Sequence, residues 1–351
     1  MEKPVVQWKN WHNMRKYSFD YLSSERQTIM GLAILWIMFS HSTIDYSHIP
    51  VLESIKRLGN LCVDIFVLFS GIGLYYSAER LIQETGGRWV APFYRKRFLR
   101  ILPATIICLF PWYCYLKWGQ RVNILRFILD VTSLSYWIDG NNQGWYVALT
   151  IVLYLFYPLF YTVIIKGKRK ASLYCFVLIV IDISINTIIA IFQPDWFGRV
   201  NLAICRVPMF IAGCFLGVKV KEKKEQNLLP IICIPFIVVF VVILLKYKEP
   251  LKVYGIWRYL TGALGFCVAV VLSAVFRFVH GKWISKFFRF FGKYTLEIYL
   301  VHTQILAVLE KQMKPNLSVA LINLLAVGIS ITAAIIVHEG LSLIIKRFGG
   351  Q

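Results

Sequence analysis

Residues 228–245 read LLPIICIPFIVVFVVILL, an 18-residue stretch without a charged side chain. An α-helix rises 1.5 Å per residue, so about 20 mostly apolar residues cross the hydrocarbon core of a bilayer. This stretch is therefore typical of a transmembrane helix. Comparable stretches occur along the whole chain and predict about ten membrane spans. They lie at 29–46, 58–78, 99–116, 144–165, 172–192, 202–218, 228–245, 254–279, 294–309 and 318–345.

The composition agrees with a membrane protein. The chain has 351 residues, of which 58% are hydrophobic and 16% charged, and its mean hydropathy is +0.62. These values exclude an ordinary soluble globular protein. No polar segment is long enough to bury a core of its own. The sequence therefore predicts an all-α polytopic membrane protein with a tail at 1–27, one transmembrane domain at 28–347 and a short tail at 348–351.

The net charge of +21 comes from 39 Lys and Arg residues against 18 Asp and Glu residues. In a soluble protein this excess would favour a nucleic-acid partner, but the apolar content argues against that class. With ten spans, about twice as many basic residues lie on the face shared with the N-terminus as on the other face. The positive-inside rule then predicts that both termini are cytoplasmic. The first 27 residues contain no apolar run, so we expect no cleavable signal peptide.

Two further patterns limit the chemistry. The eight cysteines lie in or beside apolar runs without a CxxC pair, which predicts buried thiols rather than a disulfide framework or a metal site. Residues 121–143 mix apolar and polar side chains, and we expect a surface amphipathic helix followed by a loop at 139–142. Any catalysis is therefore expected among the membrane helices.

Polar side chains within spans are costly, which makes each one a functional candidate. His41 lies about 12 residues, or roughly 18 Å, from the predicted cytoplasmic end of its span. An imidazole at this depth can take a proton from a hydroxyl or accept an acyl group. A histidine that only joins helices by a hydrogen bond is the equally weighted alternative.

Span nine contains Glu297, Tyr299 and His302. Glu297 lies near the predicted inner end of the helix, and a carboxylate there pairs with a cation or orients a histidine. Arg206 or Arg26 is the expected cation. The sequence leaves open whether Glu297 acts in catalysis or in a structural ion pair.

Arg97 and Arg100 are three residues apart and lie on one helical face at the predicted cytoplasmic boundary. Guanidinium groups bind phosphate oxygens in a bidentate manner, so the pair is a candidate site for a phosphorylated ligand. Cytoplasmic basic residues also contact anionic lipid heads wherever they occur. Both interpretations stay open at this point.

Several ordered segments together resemble the acyltransferase-3 family of integral membrane acyltransferases. The first pairs a glycine with a histidine ten residues later, and the others include a Phe-rich Ser-Gly segment, an Arg-x-x-Arg turn, Trp-Tyr, Arg-x-Pro and a late Ile-Tyr-Leu-x-His segment. They lie at 31–41, 66–71, 97–103, 145–146, 206–213 and 292–302. One position differs, because many members carry Arg or Lys directly before the glycine, where this chain has Met30. Arg26, one helical turn earlier, is the expected substitute.

The resemblance implies transfer of an acyl group, commonly acetyl, from cytoplasmic acyl-CoA to a hydroxyl of a cell-surface glycan or a lipid-linked sugar. Acyl-CoA would be a donor substrate and not a tightly bound cofactor, and the protein would lie in a bacterial-type plasma membrane. By the same resemblance, the catalytic candidates are His41, Glu297 and His302, the donor-binding candidates are Arg97, Arg100 and Arg26, and the supporting candidates are Tyr299, Trp145, Tyr146 and Arg206.

Two other functions remain as alternatives. A transporter or flippase for a lipid-linked or acylated molecule would use the same polar interior without bond chemistry. Such proteins often show matched helix interruptions in two halves, and we find no matching Gly or Pro interruptions here. A structural role in a glycan-assembly complex is the third. The sequence leaves open the acceptor, the acyl chain, the oligomeric state and the choice between direct transfer and an acyl-histidine intermediate.

Overall fold

A computed structural model describes residues 17–140, 143–247, 251–278, 282–314 and 316–349. Within these ranges the chain is helical, apart from turns and one isolated β-bridge between Ser18 and Glu225. The predicted all-α fold is therefore confirmed. Residues 1–16 of the predicted tail, Asn141 and Asn142 of the predicted loop, and the last two residues lie outside the described ranges.

The helices are numbered here in chain order. They are α1 (Asp20–Ser24), α2 (Arg26–His41), α3 (Pro50–Arg57), α4 (Leu61–Thr85), α5 (Val90–Leu116), α6 (Ile124–Val131), α7 (Tyr136–Asp139), α8 (Trp145–Lys166), α9 (Ala171–Phe192), α10 (Pro194–Ile204), α11 (Val207–Lys221), α12 (Leu229–Lys246), α13 (Ile256–Phe278), α14 (Lys282–Lys293), α15 (Thr295–Met313) and α16 (Val319–Gly349).

Eight segments within the described residues are helical, long and apolar enough to cross a membrane. They agree with eight of the ten predicted spans and confirm a polytopic membrane protein. The other two predicted spans coincide with α2 and α15. Helix α2 has only 16 residues, and α15 carries Glu297, Glu310 and Lys311. α2 is thus excluded by its length and α15 by its charges, and these two helices carry His41 and His302.

Several helix boundaries differ from the prediction. Helix α2 ends at His41 instead of continuing to residue 46, because Ser42 leaves the helical region at φ −53° and ψ 137°. The span predicted at 202–218 is interrupted at Arg206, and Pro208 follows in the first turn of α11, where a missing N–H is tolerated. Residues 282–293, which lie between two predicted spans, form the helix α14, and its aromatic residues Trp283 and Phe287 are exposed.

Glycines set two close helix crossings. A Cβ at Gly213 of α11 would lie 2.2 Å from the carbonyl oxygen of Leu68 in α4. A Cβ at Gly31 of α2 would lie 1.8 Å from the carbonyl oxygen of Phe288 in α14. Side chains at either position would separate the helices, so the glycines allow the backbones to touch. The second crossing holds the helix that carries Arg26 and His41.

The segment between the first described residue and α2 is also packed. Tyr17 and Leu22 are fully buried, and the Tyr17 hydroxyl lies 3.0 Å from Ser273 Oγ of α13. The predicted amphipathic segment contains α6 and α7, which confirms its helical character. Seven of the eight cysteines are buried, as predicted.

Candidate active site

Two histidines meet inside the bundle. His41, the last residue of α2, places Nδ1 2.8 Å from Nε2 of His302 in α15. The two rings are nearly parallel, with centroids 5.0 Å apart and an interplanar angle of 24°. The residues are separated by 261 positions in the chain, and neither sequence motif alone indicates the contact.

The hydrogen bonds around His302 define the tautomers of the neutral pair. Nδ1 of His302 lies 3.0 Å from the carbonyl oxygens of Ile298 and Tyr299. Carbonyl oxygens only accept, so Nδ1 carries the proton and Nε2 has a free lone pair. Nε2 therefore accepts the Nδ1–H of His41. Nε2 of His41 is left unprotonated, as a general base requires.

His41 and His302 line a cavity of about 420 Å³, called the histidine cavity below. Hydroxyl and amide groups of Ser40, Gln143 and Thr303 also line it. Such groups exchange hydrogen bonds with the hydroxyls of a sugar or water. These three residues have no sequence signal of their own, although Ser40 and Thr303 directly adjoin the two histidines.

A second cavity, of about 200 Å³, contains the three arginines selected as donor-binding candidates. Arg26, Arg97 and Arg100 all line this arginine cavity, together with Met30. The Nε atoms of Arg26 and Arg97 are buried and have no hydrogen-bond partner within the described part of the chain. Guanidinium N–H groups that are buried without an acceptor favour an anion at this position.

Gly73 of α4 makes room for Arg26. A Cβ at this position would lie 2.7 Å from Nη1 of Arg26 and 3.1 Å from its Cζ. The guanidinium thus lies directly against the backbone of α4. Arg26 and Met30 line the same cavity one turn apart, and the substitution of Arg26 for the basic residue absent at position 30 stays a prediction.

Tyr299 lines both the histidine cavity and the arginine cavity. Its hydroxyl accepts the backbone N–H of Tyr146 at 3.3 Å, and its ring meets Tyr146 edge-on at 5.2 Å. Trp145 contacts the same ring at 6.5 Å. The start of α8 therefore holds the side chain that separates the two cavities.

Glu297 is fully buried and pairs with Arg100, whose Nη1 lies 2.6 Å from Oε1. His338 Nδ1 lies 3.1 Å from the same oxygen. The prediction that Arg206 or Arg26 pairs with Glu297 is therefore wrong. The helix that faces Glu297 is α5, and the spacing of residues along α15 does not indicate which helix packs against it. Within the described residues, Glu297 forms no hydrogen bond with His41 or His302 and instead fixes Arg100 of the arginine cavity.

Arg206 supports the opposite side of the bundle interior. Its Nε lies 3.3 Å from Oδ1 of Asp64, and both side chains are almost fully buried. Its guanidinium also lies 4.9 Å from the ring centroid of Trp145. A cation over an indole face is attracted by the ring quadrupole. Arg206 thereby fixes a wall of the histidine cavity.

A wider cavity, of about 460 Å³, adjoins the arginine cavity through Arg97, which lines both. Lys96, Arg80 and Lys221 contribute further positive charge to this surface cavity, and Tyr76 contributes an aromatic ring. Glu79 also lines it and forms an ion pair with Lys221. Three cavities therefore follow one another from the surface to the histidines.

The fold and these cavities define an integral membrane protein whose polar side chains meet between its helices, with cations at one end and a histidine base at the other. The family model of acyltransferase-3, described as an acyltransferase domain, matches residues 29–339. The chain therefore belongs to the acyltransferase-3 family and is a membrane acyltransferase. No curated protein and no solved structure matches the chain.

Proposed function

We propose that this acyltransferase moves an acyl group, with acetyl the expected one, from cytoplasmic acyl-CoA to a hydroxyl of a cell-surface glycan or exopolysaccharide precursor. The observation that carries the proposal is the position of Tyr299 between the arginine cavity and the histidine cavity. A donor bound through its phosphates on one side can present its thioester to a base on the other. The bacterial-type plasma membrane belongs to the same proposal.

The donor fits the charges of the two basic cavities. Coenzyme A carries several phosphates at one end of a long, narrow arm that ends in the thioester. The surface cavity offers Lys96, Arg80 and Arg97 for phosphates. The arginine cavity is narrower, and Arg26 and Arg97 lie in its wall. The arm would pass through it toward Tyr299.

The histidine pair supports direct transfer. Nε2 of His41 takes the proton of the acceptor hydroxyl while its oxygen attacks the thioester carbonyl. The new C–O bond forms, the C–S bond breaks, and the departing thiolate takes the proton from His41. His302 keeps the Nδ1–H of His41 hydrogen-bonded throughout and so stabilises the transient imidazolium.

The same lone pair can attack the thioester itself and carry the acyl group on Nε2 before the acceptor arrives. Both routes require the tautomer that His302 holds. Rapid denaturation of the protein in cold neutral detergent after mixing with labelled acyl-CoA distinguishes them, because only the second route leaves label on the protein when acceptor is omitted.

The test of the proposal is acyl transfer in proteoliposomes from radiolabelled acetyl-CoA to glycan extracted from the cell envelope. His41→Ala should lower the rate about 10²- to 10⁴-fold, the usual contribution of a general base. His48→Ala is the matched control, because this histidine is exposed and lies outside the described cavities. The control should retain the rate of the wild type.

Normal acylation by His41→Ala would defeat the proposal. Movement of unmodified glycan or lipid-linked sugar across the vesicle membrane, without transfer of label, would instead support the transporter alternative.

A further inference from the structure

A fourth cavity, of about 360 Å³, adjoins the histidine cavity at the end of the bundle opposite Arg26. Arg57 and Asn60 line both cavities and form their common wall. Lys246, at the end of α12, and Trp257, at the start of α13, lie on the far side of this cation cavity. Neither the catalytic scheme nor the donor site uses these residues.

Charge distinguishes the region of these two cavities. Lys56, Arg57 and Lys246 are the lysines and arginines of their walls, and Glu53 is the acidic residue. Glu53 lies 2.8 Å from Nε of Arg57, whose side chain is still 65% exposed. No ion pair joins Lys246 to an acidic side chain within the described residues. Among the described residues that line the two cavities, positive side chains therefore outnumber negative ones beside the proposed base.

The wall that carries Arg57 is fixed to the helix that carries His41. The indole Nε1 of Trp36 in α2 donates to the carbonyl oxygen of Ile55 in α3 at 2.7 Å. A Cβ at Gly59 would lie 2.3 Å from Cβ of Ser40, so the turn at 58–60 packs directly against the residue preceding His41. Arg57 is thus held in a set position relative to the base.

The remaining wall of the cation cavity belongs to a helix that faces lipid. Leu244 and Leu245 of α12 line it, and only 11% of the apolar window of α12 is buried inside the protein. A hydrocarbon chain can therefore lie along α12 while a polar head occupies the cavity. Lys and Arg side chains bind the oxygens of a phosphate head group through charge-assisted hydrogen bonds.

We propose that the acceptor is a sugar joined through a phosphate to a long hydrocarbon chain, and that Arg57 and Lys246 bind that phosphate. This inference rests on the proposed function and specifies its acceptor. The phosphate occupies the cation cavity, the chain follows α12, and the sugar extends past Asn60 into the histidine cavity. Its hydroxyl then reaches His41.

Binding of the lipid phosphate can be measured without catalysis. The protein is placed in nanodiscs of phosphatidylcholine, and its affinity for farnesyl phosphate is compared with that for farnesol, which has the same chain and no charge. We expect farnesyl phosphate to bind at least about tenfold more tightly, since charge-assisted hydrogen bonds add this much or more. Equal affinities would overturn the inference.

Two variants locate the site, and a third is the control. Arg57→Gln and Lys246→Gln should each weaken farnesyl phosphate binding about tenfold, whereas Lys246→Arg should retain it. Arg121→Gln is the matched control, because Arg121 is an exposed basic residue on the same predicted face and lies outside the described cavities. Unchanged affinity in both glutamine variants would overturn the site.

Competition with inorganic phosphate tests whether the site binds a lipid phosphate or free phosphate. At the concentration at which farnesyl phosphate saturates, inorganic phosphate should not displace it, because it lacks the chain along α12. Displacement at equal concentration would assign the site to free phosphate and overturn the lipid acceptor. No acyl-CoA is present, so failure of binding leaves the His41 test intact, and failure of the His41 test leaves the binding result intact.

Discussion

The two ends of α2 differ in charge and in their hydrogen-bond partners. At one end, Arg26 lies in a cavity with two more arginines, and its Nε finds no partner within the described residues. At the other end, about 22 Å away, His41 forms a hydrogen bond with His302 in a pair that needs no net charge. The first end is prepared for a charged ligand, and the second is prepared for proton transfer.

The difference explains why one short helix can serve both halves of a transfer reaction. Cations in a low-dielectric interior are costly until an anion arrives, so the arginine end favours bound donor. A neutral imidazole pair has no such desolvation cost and can act as a base before any ligand binds. The glycine crossing between α2 and α14 keeps the two ends in one rigid element.

Replacing His302 tests the histidine end most severely. His302→Phe removes the acceptor for Nδ1–H of His41, so the pair loses its tautomer and orientation. We expect kcat to fall about 10²- to 10³-fold, within the range for general-base catalysis, with little change in KM for acyl-CoA. Steady-state kinetics in proteoliposomes measures both constants.

The conservative variant distinguishes positioning from simple packing. His302→Gln places an amide oxygen near the former Nε2 and can accept the same hydrogen bond. It should recover part of the lost kcat. If Phe and Gln reduce kcat equally while the protein remains folded, His302 fills space and does not orient His41.

Arg97→Ala tests the arginine end and should change the other kinetic constant. Arg97 lines both the arginine cavity and the surface cavity, so its loss removes charge-assisted contacts to the donor. We expect the KM for acyl-CoA to rise about 10- to 100-fold while kcat at saturation falls much less. An initial-rate titration of acyl-CoA measures the change.

Arg95→Ala is the control for Arg97, since it removes a neighbouring exposed cation outside both cavities. It should leave the KM near that of the wild type. Equal increases in the two variants would indicate general attraction of the donor to a basic surface and would remove Arg97 from the donor site.

The two ends also differ in what the sequence could reveal. The spans were predictable because crossing a bilayer requires a fixed length of apolar helix, a local property of the chain. The arginines were selected by spacing and by family resemblance, and Arg97 and Arg100 do face one cavity. The residues that make up an apolar span, or an Arg-x-x-Arg motif, are close to one another in the sequence.

Pairing between distant helices was not predictable in this way. His41 and His302 were selected separately, but their hydrogen bond depends on how α2 packs against α15. The partner expected for Glu297 is wrong for the same reason, since Arg100 reaches it from α5. The break at Arg206 was missed because apolar residues continue on both sides of it. A single sequence without its packing carries no signal for such contacts.

Gly73→Ala should produce the smallest effect and the most specific one. The added Cβ would meet Nη1 of Arg26 at 2.7 Å and cannot remain there unless the guanidinium moves. The end of a long side chain moves at little cost, so the fold should be retained. A small displacement of Arg26 would weaken its contacts with a donor phosphate. We therefore expect the KM for acyl-CoA to rise about threefold, which corresponds to a loss of less than about 1 kcal/mol of binding free energy.

Gly328→Ala is the control, because a Cβ at that helical glycine meets nothing within 4 Å. If Gly73→Ala leaves the KM unchanged while Arg26→Ala raises it, the arginine tolerates displacement. If neither variant changes the KM, Arg26 does not bind the donor, and α2 serves only the histidine end.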